Sequence, residues 1–374
     1  MSGRIVVAGA VAQKPHCAGH AWQFLQYLLG FRRLGWEVCF IDRIGGGDPV
    51  AGARQLGDVM AWAGLEGAWS LGLPGGERAG LGRARVLERI RDADLLLNVM
   101  GFENDEELLG AARLRVFLDT DPGFGQMWHA LGLADIFAGH DAHVTIGTHI
   151  GAPGCTVPTC GLDWITTPQP VVLDAWPLAP PAPGGAFTSV ASWRGAYGPI
   201  DYDGHRYGLR VHQLRRFAEL PARARGRFEL ALDIHPADAA DAKRLRDGGW
   251  RLRPPAEVAG TLDDYRDYLR GSAAEVMVAK GMYVDSRSGW FSERSTCYLA
   301  SGRPVLAQDT GLAELYPLGE GLIAFDTLEE AIAGAQELRA HPARHAAAAR
   351  ALAEEHFDSD LVLGRLLDAL GAAA

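Results

Sequence analysis

Long apolar runs are missing from this sequence. No stretch approaches the roughly 18–20 continuous apolar residues that a membrane span needs. The N-terminal stretch MSGRIVVAGAVAQK has neither the long apolar core nor the cleavage pattern of a secretory signal. Cysteine is also scarce, with five scattered residues in 374 and no zinc-type spacing of His and Cys. We therefore expect a cytoplasmic protein with reduced thiols and no bound metal.

An excess of positive charge is absent too. The chain has 36 Lys and Arg against 46 Asp and Glu, which gives a formal net charge of -10. Non-specific binding to nucleic acid or to an anionic membrane needs clustered cations, so neither kind of partner is expected. Any anionic ligand must be held by a local positive site. The length, and a composition that is 48% hydrophobic, predict two domains with separate cores.

Strand and helix patterns alternate through the first half. Residues 22–34 have apolar side chains at a helical period, and the short apolar runs that predict strands are 4–10, 37–42, 94–99, 115–119 and 143–146. Such alternation is typical of a parallel sheet that is covered by helices on both faces.

A stretch rich in proline and glycine, residues 174–186, interrupts this pattern near the midpoint. It contains four Pro and two Gly, which favours an interdomain linker. The alternation then restarts, with predicted strands at 187–191, 228–233, 275–279, 304–307 and 322–325. We expect an α/β protein in which two Rossmann-like, doubly wound domains, residues 1–178 and 179–350, face each other across a cleft. Residues 351–374 are expected to form a C-terminal helix, and a position against the first domain is one option for it.

The segment from Lys280 to Gly311 is the strongest functional signal. It directly follows a predicted strand and supplies three cations and five hydroxyl groups: Lys280, Arg287, Arg294, Ser286, Ser288, Ser292, Ser295 and Thr296. A helix is predicted over residues 293–300. Hydroxyl groups and free amides at a helix N-terminus form an anion site, because the helix dipole favours negative charge there. The alternative interpretation is an ordinary capped helix between two strands.

Within this segment, SGWFSERSTCYLASGRPVLAQDTG resembles the donor loop of bacterial GT-B glycosyltransferases of the group-1 and spore-maturation-protein-like kind. The resemblance implies a nucleotide-sugar donor, UDP- or TDP-linked, with no further cofactor. It implies donor and phosphate contacts from Lys280, Ser288, Gly289, Trp290, Ser292, Arg294, Ser295 and Thr296. It implies sugar contacts from Gln308, Asp309, Thr310 and Gly311, and a second phosphate clamp at Arg194, for which a surface turn is the alternative.

The sequence departs from that family at two places. A Glu that binds the ribose hydroxyls usually lies five residues before the Gly of Gly-x-Pro, and here that position is Cys297. The Glu-x7-Glu pattern of many retaining relatives is also missing. The ribose contact must therefore come from elsewhere, or the nucleotide is held differently.

Candidates for catalysis lie in the first half. Gly19-His20 begins a stretch that resembles the opening of inverting glycosyltransferases, in which the His takes a proton from the acceptor hydroxyl. Asp119 and Asp121, at the end of a predicted strand, are the candidates to orient this base. The alternative role for His20 is helix capping or packing, and His16 is the nearest competing candidate for the base. The alternative for the two carboxylates is a simple Asp-Pro-Gly turn.

The sequence as a whole predicts a glycosyltransferase that moves a sugar from a nucleotide diphosphate to a small-molecule acceptor. An epimerase or hydrolase on the same fold, or a non-catalytic nucleotide-sugar-binding protein, is the alternative. A dehydrogenase is disfavoured because no Gly-x-Gly-x-x-Gly opens a helix. The sugar, the base, the acceptor, the stereochemistry and the oligomeric state stay open.

Overall fold

The structure is a computed structural model that describes residues 3–46, 48–182 and 184–372. An eight-stranded sheet occupies the first half in the order β4-β3-β2-β1-β5-β6-β7-β8, and only the β3–β4 pair is antiparallel. Its strands are β1 (Arg4–Gly9), β2 (Glu37–Arg43), β3 (Trp69–Gly72), β4 (Arg78–Gly80), β5 (Leu95–Val99), β6 (Arg115–Asp119), β7 (Ala142–Thr145) and β8 (Trp164–Thr166). The accompanying helices are α1 (Ala18–Arg33), α2 (Pro49–Trp62), α3 (Arg83–Asp92), α4 (Glu106–Gly110) and α5 (Phe124–Ala130).

A six-stranded, wholly parallel sheet occupies the second half in the order β13-β12-β9-β14-β15-β16. Its strands are β9 (Phe187–Ser192), β12 (Phe228–Asp233), β13 (Arg251–Arg253), β14 (Ala274–Met277), β15 (Val305–Gln308) and β16 (Leu322–Phe325), and β10 (Ile200–Tyr202) pairs with β11 (His205–Tyr207) as a separate hairpin. Its helices are α6 (Arg210–Arg216), α7 (Leu220–Ala224), α8 (Ala239–Asp247), α9 (Leu262–Arg270), α10 (Gly281–Asp285), α11 (Glu293–Ala300), α12 (Leu328–Ala340), α13 (Pro342–Leu352) and α14 (Ser359–Ala369).

The predicted fold class is confirmed. Both sheets are doubly wound, and their central strands, such as β5 and β14, are buried along their whole length. Buried strands of this kind read in the sequence as continuous apolar runs, which is why they could be predicted. Among the described residues, no helix is both long and apolar enough to cross a bilayer.

The last helix returns to the first half of the chain. Helix α14 lies against α1, and a Cβ added at Gly30 would meet Leu363 Cδ1 at 2.5 Å. Arg33 on α1 also pairs with Asp360 at 2.9 Å. Glycine at position 30 is therefore what allows the two helices to approach.

The proline-rich stretch is mostly irregular. It begins within a single 3-10 turn, Leu173–Ala175, and the described residues 176–182 and 184–186 contain neither helix nor strand. Pro183 lies outside the described residues. The stretch joins the two halves of the chain beside Trp176, whose buried ring contacts Trp22 of the first half and Tyr265 of the second.

Candidate functional site

A cleft with a volume of about 560 Å³ opens between the two sheets. It lies beyond the carboxyl ends of β1 and β9, which are the strands beside the point where the strand order reverses in each sheet. Ligands of doubly wound sheets bind at such reversal points. One wall is the loop from Lys14 to His20 together with Asp121, and the other is formed by residues that follow β9 and β14.

Lys280 and Asp121 meet across this cleft. Lys280 Nζ lies 2.8 and 2.6 Å from the two carboxylate oxygens of Asp121, and the hydroxyl of Tyr283 donates to the same carboxylate. Lys280 Nζ is also 4.8 Å from the ring centre of Phe124. Burial lowers the pKa of Lys280, while the Asp121 carboxylate opposes that shift. Two residues predicted for different roles thus form one ion pair between the halves.

Arg210 is a cleft residue that the sequence analysis missed. It is the first residue of α6, and its Nε donates to the carbonyl oxygen of Val278 at 3.1 Å. Among the described residues it has no carboxylate within ion-pair distance, although it lines the cleft. Burial lowers the pKa of its guanidinium group, and nearby Arg294 adds to the effect. An unpaired, largely buried cation at this position favours an anionic ligand.

Arg294 lines the same wall but already has a partner. Its Nε lies 2.6 Å from Oε1 of Glu275, which is fully buried, and its Nη1 donates to the carbonyl oxygen of Val190 at 2.8 Å. Helix α11 begins next to it, where the Ser292 side chain accepts from the Arg294 amide at 3.2 Å. Arg294 therefore holds β9, β14 and α11 together and presents only part of its guanidinium to the cleft.

His20 lies on the opposite wall at the start of α1. Its Nε2 is 2.9 Å from the carbonyl oxygen of Ala10, which requires the proton on Nε2 and leaves Nδ1 as an acceptor. Burial, with a smaller effect from Lys14, lowers the pKa of His20 to about 4, so the ring is neutral at pH 7. The group that orients this imidazole is a backbone carbonyl and not a carboxylate.

Asp119 and Asp121 do not reach His20, because both carboxylates have other partners. Asp119 is 2% exposed and accepts from Gln126 Nε2 at 2.7 Å and from Thr145 Oγ1 at 2.9 Å. Burial raises its pKa to about 6. Asp119 thus fixes the turn after β6, whereas Asp121 faces the cleft.

Only some of the predicted donor residues line the cleft. Trp290 is one of them, and its ring stacks on Tyr283 with centres 4.3 Å apart. Ser295 and Thr296 are buried within α11, and the Thr296 hydroxyl donates to the Glu293 carbonyl at 2.8 Å. Those that line it are Lys280, Trp290, Ser292 and Arg294.

Ser288 and Gly289 lie instead against the first half of the chain. The amide of His149 donates to the Ser288 carbonyl at 3.0 Å, and Thr148 Oγ1 donates to the Gly289 carbonyl at 2.9 Å. Gly289 has a φ of 71°, and a Cβ there would also meet the His149 ring at 3.1 Å. This turn is therefore an interdomain contact.

The four residues predicted to contact the sugar make internal hydrogen bonds, and none of them lines the cleft. Gln308 bonds to Gln213 at 2.8 Å, and Thr310 Oγ1 donates to the Trp290 carbonyl at 2.6 Å. Asp309 accepts from the amides of Gly311 and Leu312 at 2.9 and 2.7 Å. These hydrogen bonds hold the turn after β15 in place.

Arg194 and Cys297 are placed away from the open cleft. Arg194 makes a two-pronged ion pair with Asp238, at 2.8 and 2.6 Å, and its side chain is 59% exposed. The Cys297 thiol is 1% exposed and accepts from Gln26 Nε2 at 3.3 Å, so it is covered by α1. The carboxylate of α11 that does line the cleft is Glu293, one helical turn before Cys297. Among the described residues, no group of three or more His, Cys, Asp or Glu could hold a metal ion.

Known structures share this architecture over almost the whole chain. An alpha-glucosyltransferase in complex with UDP-glucose and DNA containing an abasic site aligns with a TM-score of 0.59 and 12% identity, over 99% of this chain and 100% of that one. HepE of Anabaena, in complex with UDP and glucose, aligns with a TM-score of 0.57 and 13% identity, over 99% and 100%. AviGT4, a glycosyltransferase involved in avilamycin A biosynthesis, gives 0.58 and 14%, over 98% and 96%. This chain has the GT-B fold.

No protein-family model and no curated protein sequence matches the chain. The GT-B fold explains why both strand-order reversals open on one cleft, because its two Rossmann-like domains face each other. The expected fold family is therefore confirmed by shape, at a level of identity where sequence alone gives little support.

Proposed function

We propose that this protein is a glycosyltransferase that moves a sugar from a nucleoside diphosphate to a small-molecule acceptor in the cleft. The observation that carries the proposal is Arg210, a cleft cation for which the described part of the chain supplies no carboxylate partner, on the same wall as the N-terminus of α11. A diphosphate would supply the missing negative charge, and free amides at the helix N-terminus favour the same ligand. The fold shared with UDP- and UDP-glucose-bound glycosyltransferases supports this assignment.

Positioning and electrostatics would perform the chemistry. As the bond between the sugar and the diphosphate breaks, negative charge grows on the departing phosphate oxygens, and Arg210 and Arg294 stabilise it. Lys280 contributes a fixed positive charge, part of which the Asp121 carboxylate neutralises. No redox cofactor is needed, and the donor we propose is a UDP- or TDP-linked sugar.

His20 is the proposed base. Its Nδ1 is unprotonated at pH 7, because burial lowers the pKa and the hydrogen bond to the Ala10 carbonyl keeps the single ring proton on Nε2. It lines the wall opposite Arg210, where an acceptor hydroxyl would approach the sugar. A pKa of about 4 makes it a weak base, so its main contribution would be to orient the hydroxyl and accept its proton late in bond formation.

A nucleic-acid acceptor is disfavoured for this chain, although three of the neighbouring alpha-glucosyltransferase structures contain DNA. The formal net charge of -10 opposes contact with a phosphate backbone. We therefore propose a small-molecule acceptor.

A thermal-shift titration with UDP, TDP, ADP and GDP tests the donor site. A ligand at 100 times its Kd stabilises the folded protein by about 2.7 kcal/mol, which raises Tm by several degrees. Arg210→Ala should weaken the protecting nucleotide about tenfold or more, because it removes a charge-assisted contact. Arg206→Ala, on the exposed hairpin, is the matched control. Lack of protection by every diphosphate would refute the donor site.

Incubation of the protecting nucleotide sugar with and without candidate acceptors separates transfer from the alternatives. Transfer requires product that contains both sugar and acceptor, and loss of that product in His20→Gln with donor binding intact. Free or isomerised sugar formed without acceptor would instead indicate a hydrolase or an epimerase. Binding without any turnover would indicate a non-catalytic sensor.

A further inference from the structure

A second groove opens beside the cleft. It has a volume of about 640 Å³ and lies between α2 of the first half and residues 260–263, which lead into α9 of the second. Pro15 and His16 line both openings, so the two are continuous. We call it the side groove. Its size is that of a small-molecule site, and it opens on the loop that leads to His20.

One face of α2 forms the wall of the side groove. Val50, Arg54, Asp58 and Trp62 follow one another at intervals of four residues, which places them along one side of the helix. Val50 is 79% exposed and Trp62 is 36% exposed. Large apolar side chains held in contact with water along a concave wall favour a ligand that covers them.

Trp62 is held in place by its neighbours. Its ring meets Trp22 edge-on with centres 5.0 Å apart, and the Arg266 guanidinium lies 5.8 Å from its centre. An indole fixed in this way is a rigid flat surface that loses little entropy when a ligand packs on it. The C–H face of a sugar ring is apolar and flat and suits such a surface.

The charged side chains that line the side groove are one arginine, Arg54, and three aspartates, Asp48, Asp58 and Asp263. Arg54 and Asp58 are one turn apart and opposite in sign, yet among the described residues neither forms an ion pair. Asp48 is engaged as the N-cap of α2, and Asp263 pairs with Arg266 at 2.7 Å. Arg54 and Asp58 thus offer a free charge-assisted donor and acceptor to a neutral polar ligand. Its surplus of carboxylates opposes a phosphate chain.

We infer that the side groove binds an uncharged saccharide portion of the acceptor. The inference rests on the proposed function, since it names the acceptor of that reaction. Sugar hydroxyl groups donate to Asp58 and accept from Arg54, and a ring packs on Trp62. The sugar hydroxyl that reacts then extends past His16 toward His20 and the donor.

Isothermal titration with maltotriose, cellotriose and mannotriose, each with and without saturating UDP, tests the inference. At least one trisaccharide should bind while UDP is bound. Trp62→Ala should weaken it about tenfold or more, and Asp58→Asn about threefold or more. Asp92→Asn, on exposed α3, is the control and should change neither affinity. UDP affinity should be unchanged in all three variants, which also reports that they are folded.

Two kinds of outcome would overturn this inference and leave the donor site intact. One is intact UDP binding with no trisaccharide bound, or with trisaccharide binding that Trp62→Ala leaves unchanged. The other is a 13-base-pair DNA duplex that binds in a manner sensitive to Trp62→Ala. Failure of every nucleoside diphosphate to bind, TDP included, would instead count against the donor site, so the two proposals fail separately.

Discussion

Protonation of His20 should make the stability of this protein depend on pH in a way that one substitution removes. In the folded protein the pKa of His20 is lowered to about 4, against 6.5 for the unperturbed group. Since the unfolded chain binds the proton more tightly, acidification favours unfolding. The cost is absent above pH 6.5, grows as pH falls through that value and levels off below pH 4.

The magnitude follows from these two values. At pH 5 the unfolded imidazole is almost fully protonated and the folded one almost fully neutral, so the cost is about 2 kcal/mol, from 1.36 kcal/mol for each pH unit below 6.5. That corresponds to a Tm change of roughly 3–5 °C. Asp42 and Asp119, whose pKa values burial raises to about 7 and about 6, shift stability in the opposite direction. Their effect cancels when two proteins that both contain them are compared.

The assay is therefore a difference between wild type and His20→Gln, measured by thermal unfolding at pH 7 and pH 5. Gln keeps a donor for the Ala10 carbonyl but does not titrate. The Tm of wild type minus that of the variant should fall by roughly 3–5 °C between the two pH values. His16→Asn, at an exposed position of the same loop, is the matched control. A difference that is independent of pH would refute the buried, neutral imidazole and with it the proposed base.

Three further substitutions test the pairings in the cleft. Asp121→Asn should lower the free energy of unfolding by about 2–4 kcal/mol in urea titration, because Lys280 keeps a largely buried charge without its carboxylate; an unchanged midpoint would mean that the pair adds nothing. Arg294→Gln should lower the free energy of unfolding by about 3–5 kcal/mol, because it leaves the buried Glu275 carboxylate without its cation, and it should also weaken UDP binding. A loss of UDP affinity with no loss of stability would assign Arg294 to the ligand alone. Cys297→Glu should lower Tm without strengthening UDP, since the thiol lies against α1; tighter UDP binding would contradict that placement.

The central strands and the edge strand β16 were predictable from sequence, whereas the edge strands β4 and β13 were not. The strand Arg115–Asp119 and the helix Glu293–Ala300 have the predicted bounds, because burial on both faces or a clear cap leaves a direct trace in the residue pattern. β4 and β13 are three residues long and read RAG and RLR, without an apolar run. They form strands only because each pairs with a neighbouring strand. That neighbour is either distant in sequence or joined to it by a turn.

The site was predictable as a region and less so as a set of side chains. The cation-rich segment does supply Lys280 and Arg294 to the cleft, since they follow a strand end and begin a helix. Arg210 gave no signal, because LRVHQLRR reads as an ordinary basic helix face. Its function as a cleft cation depends on contact with Val278, 68 residues away, which no local pattern encodes. Arg194 lies outside the cleft because it pairs with Asp238, and no local pattern encodes that contact either.

The segment from Lys280 to Gly311 combines two functions that sequence alone presented as one. Its Lys280, Trp290 and Arg294 face the cleft, whereas Ser288 and Gly289 bond to the first half at His149 and Thr148. Both groups belong to one short stretch of backbone, so a movement of one half relative to the other must move the cleft wall that carries Lys280 and Arg294. A ligand that fixes Lys280 and Arg294 therefore also restrains the turn at Gly289. For this reason a substitution at the turn should alter donor affinity without touching the donor.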